Sequence, residues 1–129
     1  MKFTTPNAGK EFDIPDEWWE FSEMTFFQPN SGGFYYCDHF KNNIQVVSLT
    51  EIEPPVRNEG IPLLKKEKLV PILFAFRLQE NPLPPVEVHR LTTPSLYKFR
   101  IHNGYHRFYA SVAVGYTMLP IVVVEPYEP

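Results

Sequence analysis

The feature that most constrains this chain is the run His102-Asn103-Gly104-Tyr105-His106-Arg107, together with Phe108 to Gly115 after it. Just before it, Tyr97-Lys98-Phe99-Arg100-Ile101 alternates apolar and basic residues, the two-residue period of a half-buried strand. After it, Phe108, Val112 and Gly115 recur at helical spacing, with Tyr109 and Ala113 beside them. Gly115 suits the left-handed residue that closes a helix. The spacing therefore predicts a strand that turns sharply at Asn103-Gly104 and becomes a helix near Tyr105 or His106. Leu119 to Val124, apolar throughout, predicts the next strand.

That turn has a chemical consequence. The first amides of a helix lack internal partners and carry the positive end of its dipole. A glycine ahead of them lets a ligand approach the backbone closely. His106 and Arg107 add donors and charge at the same place. The combination reads as a small anion site, for phosphate above all. The plain alternative is an ordinary strand-to-helix turn with solvated basic residues, and the local pattern leaves both open.

A chain of 129 residues fits one domain with a real core. Apolar content is 43% and no run approaches transmembrane length. No secretory signal is visible at the start. The single cysteine, Cys37, forms no internal disulfide, and Cys37 with the four histidines shows no zinc spacing. A reducing, cytoplasmic setting is expected. Net charge is −3, which excludes a generally basic nucleic-acid binder. The charge is uneven: residues 1–60 carry a net −6 and residues 61–129 a net +3, so the anion site falls in the basic half.

Residues 1–43 form an aromatic-rich extension, holding both tryptophans and Phe12, Phe21, Phe26, Phe27, Phe34, Tyr35, Tyr36 and Phe40. Ile14 to Phe21 predicts a short helix with Pro15 in its first turn and acids near its positive end. Pro29 to Gly33 reads as a turn joining two short strands, Thr25–Phe27 and Phe34–Cys37. So much aromatic surface is costly to leave in water. The segment either packs over residues 44–129 as a lid or extra layer, or presents a surface for a protein partner or for stacking nucleic-acid bases.

From Ile44 the reading is regular. Ile44–Leu49 is a strand and Glu51–Gly60 a rigid, proline-fixed loop carrying Arg57. Lys65 to Gln79 is a helix with Leu69, Ile72, Leu73 and Phe76 on its core face, starting near Lys65 or Lys66 and distorted at Pro71. Lys65, Lys66 and Lys68 lie at its amino end, where positive charge opposes the dipole and suggests a nearby anion. Val86–Leu91 is a strand, and Thr92–Ser95 a turn into Tyr97. The fold class is a small mixed α/β (α+β) sheet with helices packed against it.

This arrangement resembles the ParB/sulfiredoxin superfamily over about residues 44–125. The sulfiredoxin pattern has a lysine at the head of a helix and an isoleucine-arginine near its end. Val-Pro-Pro-Ile-Asp-Val follows, then a strand pair and Gly-Cys-His-Arg opening a helix. Here the matching residues are Lys68, Phe76-Arg77, Leu83-Pro84-Pro85-Val86-Glu87-Val88 and Gly104-Tyr105-His106-Arg107. ParB-like domains carry a proline-arginine where Val56-Arg57 stands. The resemblance implies a nucleotide site: sulfiredoxins bind ATP and ParB proteins CTP at this loop. It implies a phosphate cradle of Asn103, Gly104, Tyr105, His106 and Arg107, with Lys68 reaching in from the other helix and Arg57 from the proline loop. One departure is decisive. Tyr105 occupies the place of the sulfiredoxin nucleophile, and a phenol of pKa about 10 does not replace a thiolate. Cys37 lies outside the matching stretch. Sulfiredoxin activity is therefore rejected.

Two classes of function remain, beside a purely structural remnant that keeps the fold without a ligand. One is an enzyme acting on phosphates: an NTPase, phosphotransferase or nuclease. Charge neutralisation and positioning carry most of such chemistry. Lys68, His106 and Arg107 would neutralise charge. Glu51, Glu53 or Glu59 would hold magnesium or act as a base, with His102 and His106 as further acid–base candidates. The other class is a non-catalytic module that binds a nucleotide, or binds nucleic acid or protein through the aromatic segment.

Overall fold

The computed structural model describes residues 1–6, 9–30, 32–37, 43–56, 62–78, 82–92 and 96–124. The chain opens with a short hairpin of β1 (Lys2–Thr4) and β2 (Glu11–Asp13), followed by α1 (Asp16–Phe21). A second set of elements forms the body: β3 (Ile44–Ser48), β4 (Ile52–Glu53), α2 (Lys66–Arg77), β5 (Val86–Arg90), β6 (Phe99–Asn103), α3 (Tyr105–Val114) and β7 (Met118–Val123). A single 3-10 turn, Leu49–Glu51, links β3 to β4. The five body strands make one mixed sheet in the order β3-β7-β5-β6-β4. The β5–β7 and β4–β6 pairs are parallel, whereas β3–β7 and β5–β6 are antiparallel. The protein is thus a small α+β domain. No described helix is long and apolar enough to cross a membrane.

Alternation decides which face is covered. Val86, Val88, Phe99 and Ile101 are buried, and Glu87, His89, Arg100 and His102 between them are exposed or half-buried. The helices supply the opposing apolar face: Leu69, Leu73 and Phe76 from α2, and Phe108, Tyr109 and Ala110 from α3. α2 packs on α3. Pro71 sits inside α2, which begins at Lys66 with Lys65 as its N-cap. Tertiary packing of this apolar stripe holds the helix across a residue that cannot donate its backbone bond.

The first 43 residues differ from expectation in detail. Thr25–Phe27 and Phe34–Cys37 do not form a strand pair. Tyr36 makes one isolated parallel bridge to Leu83, while the hairpin that does form lies earlier, with Phe3 opposite Phe12. The reason is side-chain demand. Phe34 turns inward to stack on Phe76 at 5.6 Å, and Phe27 meets the edge of Tyr116 at 6.3 Å, which draws the chain out of a ladder. Phe12, Ile14, Met24 and Phe34 belong to the same core as the sheet. Phe26, at 89% exposure, and Phe21, at 62%, remain outward. Phe40 lies outside the described residues. Pro15 is the N-cap of α1 and so stands one place ahead of its first turn.

The loop expected from Glu51 also contains structure. Ile52 and Glu53 pair in parallel with Phe99 and Arg100, and Pro54-Pro55 ends the ladder because proline has no N–H to donate. The carbonyl of Pro55 is then satisfied from elsewhere. Tyr109, wholly buried on α3, donates its hydroxyl to it, and Lys10 Nζ reaches both that oxygen (3.0 Å) and the Tyr109 hydroxyl (3.1 Å). Desolvation holds the Lys10 ammonium below its ordinary range. Tyr109→Phe is expected to cost about 1 kcal/mol, the net value of one buried hydrogen bond, since Lys10 still satisfies the carbonyl. Urea denaturation of the two proteins measures this.

Candidate functional site

The turn at the end of β6 is built from two local devices. The first is a bulge. Val88 pairs with Ile101 but Glu87 pairs with Asn103, so His102 is an extra residue on β6. Two successive side chains, His102 and Asn103, are thereby left exposed at the end of the strand. The second is Gly104, the N-cap of α3, with φ +124°. Its backbone closes the turn where an L side chain would be strained. A Cβ there would meet Val86 Cγ1 at 3.0 Å and Arg107 Nη2 at 3.1 Å. At the other end, Gly115 in the left-handed region closes α3 as its spacing predicts.

A groove of about 570 Å³ opens at this turn, between the amino ends of α2 and α3. It is lined by Lys65, Lys68 and Ile72 from the α2 side and by the continuous run His102 to Arg107. Sequence reasoning thus named most of the lining. Gly104 has no side chain to cap α3, and the first turn of α3 holds no acidic residue. Among the described residues, none that lines the groove is acidic. Three cationic side chains and the positive end of a helix therefore share one concave surface.

Each side chain is held in a definite way. Arg107 Nη1 donates to the carbonyls of Pro84 (2.6 Å) and Pro85 (2.9 Å), locking the guanidinium against the entry to β5. Burial pulls Arg107 below its ordinary range, opposed by Glu87 and Cys37. Cys37, outside the matching stretch in sequence, is thus within electrostatic reach of the site. Its backbone N–H donates to Leu83 at 2.9 Å, which brings the extension alongside. His106 is buried, and its Nε2 accepts from the Lys65 amide at 3.0 Å. An amide can only donate, so Nε2 carries the lone pair and the neutral ring is protonated at Nδ1. His106 therefore ties the amino end of α2 to that of α3. Asn103 Nδ2 donates to Glu87 Oε2 at 3.1 Å. Tyr105 begins α3, half-buried on the groove wall.

Other candidates lie elsewhere. Glu53, on β4, accepts from Arg100 Nε at 3.1 Å and does not line the groove. Glu51 pairs with Lys98 at 3.1 Å. Arg57 and Glu59 lie outside the described residues. Arg77, at the far end of α2, pairs with Glu23 at 3.2 Å. Sequence reading passed over Ile72 as a groove residue, and Glu87 and His89 as its neighbours. Their signal was the alternation along β5, which sets Glu87 and His89 on one face, but nothing local shows that β6 pairs with β5 in the register that brings His102 to His89. Among the described residues, no group of three or more His, Cys, Asp or Glu is placed to hold a metal ion.

No family model, no curated protein and no solved structure matches this chain.

Proposed function

We propose that this chain binds the phosphate groups of a nucleotide, ATP or a relative of it, at the Gly104–Arg107 turn, as a ParB/sulfiredoxin-like module. The observation that carries the reading is the groove itself: Lys65, Lys68 and Arg107 around an α3 amino end that opens on a glycine, with no acidic lining residue among the described residues. Helix ends of this kind favour anions through amides and dipole together. The groove volume falls within the range usual for small-molecule sites, and Ile72 and the Tyr105 ring offer apolar surface to a base or sugar. Binding without turnover is favoured over catalysis. Glu51 and Glu53 are engaged by basic partners away from the groove, and the His106 lone pair is occupied by a backbone amide. Hydrolysis or transfer of the bound nucleotide, as an NTPase, phosphotransferase or nuclease with magnesium, is the second reading. It rests on His102, exposed at the groove rim.

The test is thermal stabilisation by ATP, CTP and GTP with magnesium, beside a Lys65→Ala/Lys68→Ala double variant. A nucleotide at about 100 times its Kd adds roughly 2.7 kcal/mol of stability. Both lysines are exposed, and neither is in an ion pair among the described residues. The double variant should therefore keep its unliganded Tm and bind at least about tenfold more weakly, since each charge near a surface phosphate is worth roughly 1 kcal/mol. A wild type that no nucleotide stabilises sinks the reading. Phosphate release at a steady rate would move the conclusion to the enzyme.

A further inference from the structure

Two imidazoles touch at the rim of the groove. His89 stands on β5, and His102 is the bulged residue of β6. His89 Nδ1 lies 2.8 Å from the carbonyl oxygen of Val124. A carbonyl can only accept, so this nitrogen carries the ring proton, and the lone pair of neutral His89 is on Nε2. His102 Nδ1 lies 3.1 Å from that Nε2, so it must be the donor. The lone pair of neutral His102 is then on its own Nε2. Three of the four ring nitrogens have their roles set by a chain that begins at a backbone carbonyl. A proton taken up by the pair has one place to go without breaking a hydrogen bond, and it strengthens the bond behind it by placing charge on the donor.

We infer that His102 is a proton-gated cation of the phosphate groove, and that His89 is the positioning residue that directs the proton to His102 Nε2. This rests on the reading that the groove holds phosphate. Imidazoles take up their proton between about pH 8 and pH 5. As pH falls through that window the groove gains a positive charge, and an anion binds more tightly. By linkage, the bound anion raises the proton affinity of His102 by the same factor. The surrounding charges are mixed. β5 supplies Glu87, which favours the imidazolium, and Arg90. β6 supplies Arg100, itself paired with Glu53 of β4. α2 supplies Lys65 and Lys68, and α3 supplies Arg107, all lining the same groove and opposing the imidazolium. β7 carries no charged residue. His106, also in the groove lining, has its Nε2 lone pair engaged by the Lys65 amide.

Two measurements on the full chain decide the matter. Nitrogen-15 spectra of the histidine rings at pH 8, without ligand, should show Nδ1–H on both His89 and His102. Nε2–H on His89 overturns the proposal. Inorganic sulfate, whose charge is constant across this range, is then titrated at pH 8 and pH 5.5. Wild type should bind about fivefold more tightly at the lower pH, the effect of one added charge at close range in a water-exposed site. His102→Gln should bind equally at both. His89→Phe, which removes the acceptor of the His102 Nδ1–H, should keep its binding at pH 8 and show a smaller gain. His89→Gln, whose amide donates to Val124 and accepts from His102, should restore it. Sulfate binding by wild type with no pH response, or a response that survives in His102→Gln, overturns this proposal alone. No sulfate binding at either pH overturns the groove reading with it.

Discussion

Gly104→Val is expected to lower stability by about 3–5 kcal/mol and to lower polyphosphate affinity at the same time. The residue sits at φ +124°, outside the regions open to an L side chain, and a β-branched one least of all. Holding a residue there costs about 1–3 kcal/mol. The space is also taken: the new Cβ would stand 3.0 Å from Val86 Cγ1, on a side chain with no exposure. Val86 is packed in the core and has little room to yield, which adds about 1–3 kcal/mol of overpacking. The next neighbour is Arg107 Nη2, 3.1 Å away. Moving the guanidinium would loosen its bonds to Pro84 and Pro85 and shift the charge that faces the groove. Gly104→Ala carries the strain with a smaller clash and should lose about 2–3 kcal/mol. Chemical denaturation gives the stabilities, and ATP titration of the alanine protein gives the binding. An alanine variant as stable as wild type would show that the turn relaxes to a conformation other than the one seen.

Phe12→Ala is expected to cost about 3–5 kcal/mol, the usual range for emptying a buried phenylalanine site. Phe12 is 5% exposed and packs edge-on against Tyr109 at 4.9 Å, with Phe3 at 5.5 Å on its other side. Tyr109 in turn holds the Pro55 carbonyl and contacts Lys10. The hairpin is therefore built into the body of the domain, and its loss should be felt throughout. Hydrogen exchange should show β5, β7 and α3 losing protection together with β1 and β2, in one cooperative transition. If only the first 43 residues open and the body keeps its midpoint, the aromatic segment is a layer of separate stability.

The extent to which the chain was legible follows from the range of the forces involved. The strand, turn and helix from Phe99 to Gly115 were readable because period two, a glycine and period 3.6 are written in neighbouring residues. The same holds for α2, where four apolar positions outweighed Pro71, and for the cluster of cations and glycine that marks the groove. By themselves, local patterns determined the α+β class and named most of the described residues that line the groove. They did not determine what each of those residues does. The His106 lone pair is taken by an amide 41 positions away, the two histidines meet across 13, and Lys10 reaches Tyr109 across 99. That His102 meets His89 depends on how β6 pairs with β5, which no local pattern encodes. The hairpin of β1 and β2, the pairing of β4, and the approach of Cys37 and Glu87 to Arg107 are likewise decided by packing. Hydrogen-bond partners are chosen by which elements the core brings together, and only the tertiary structure holds that information.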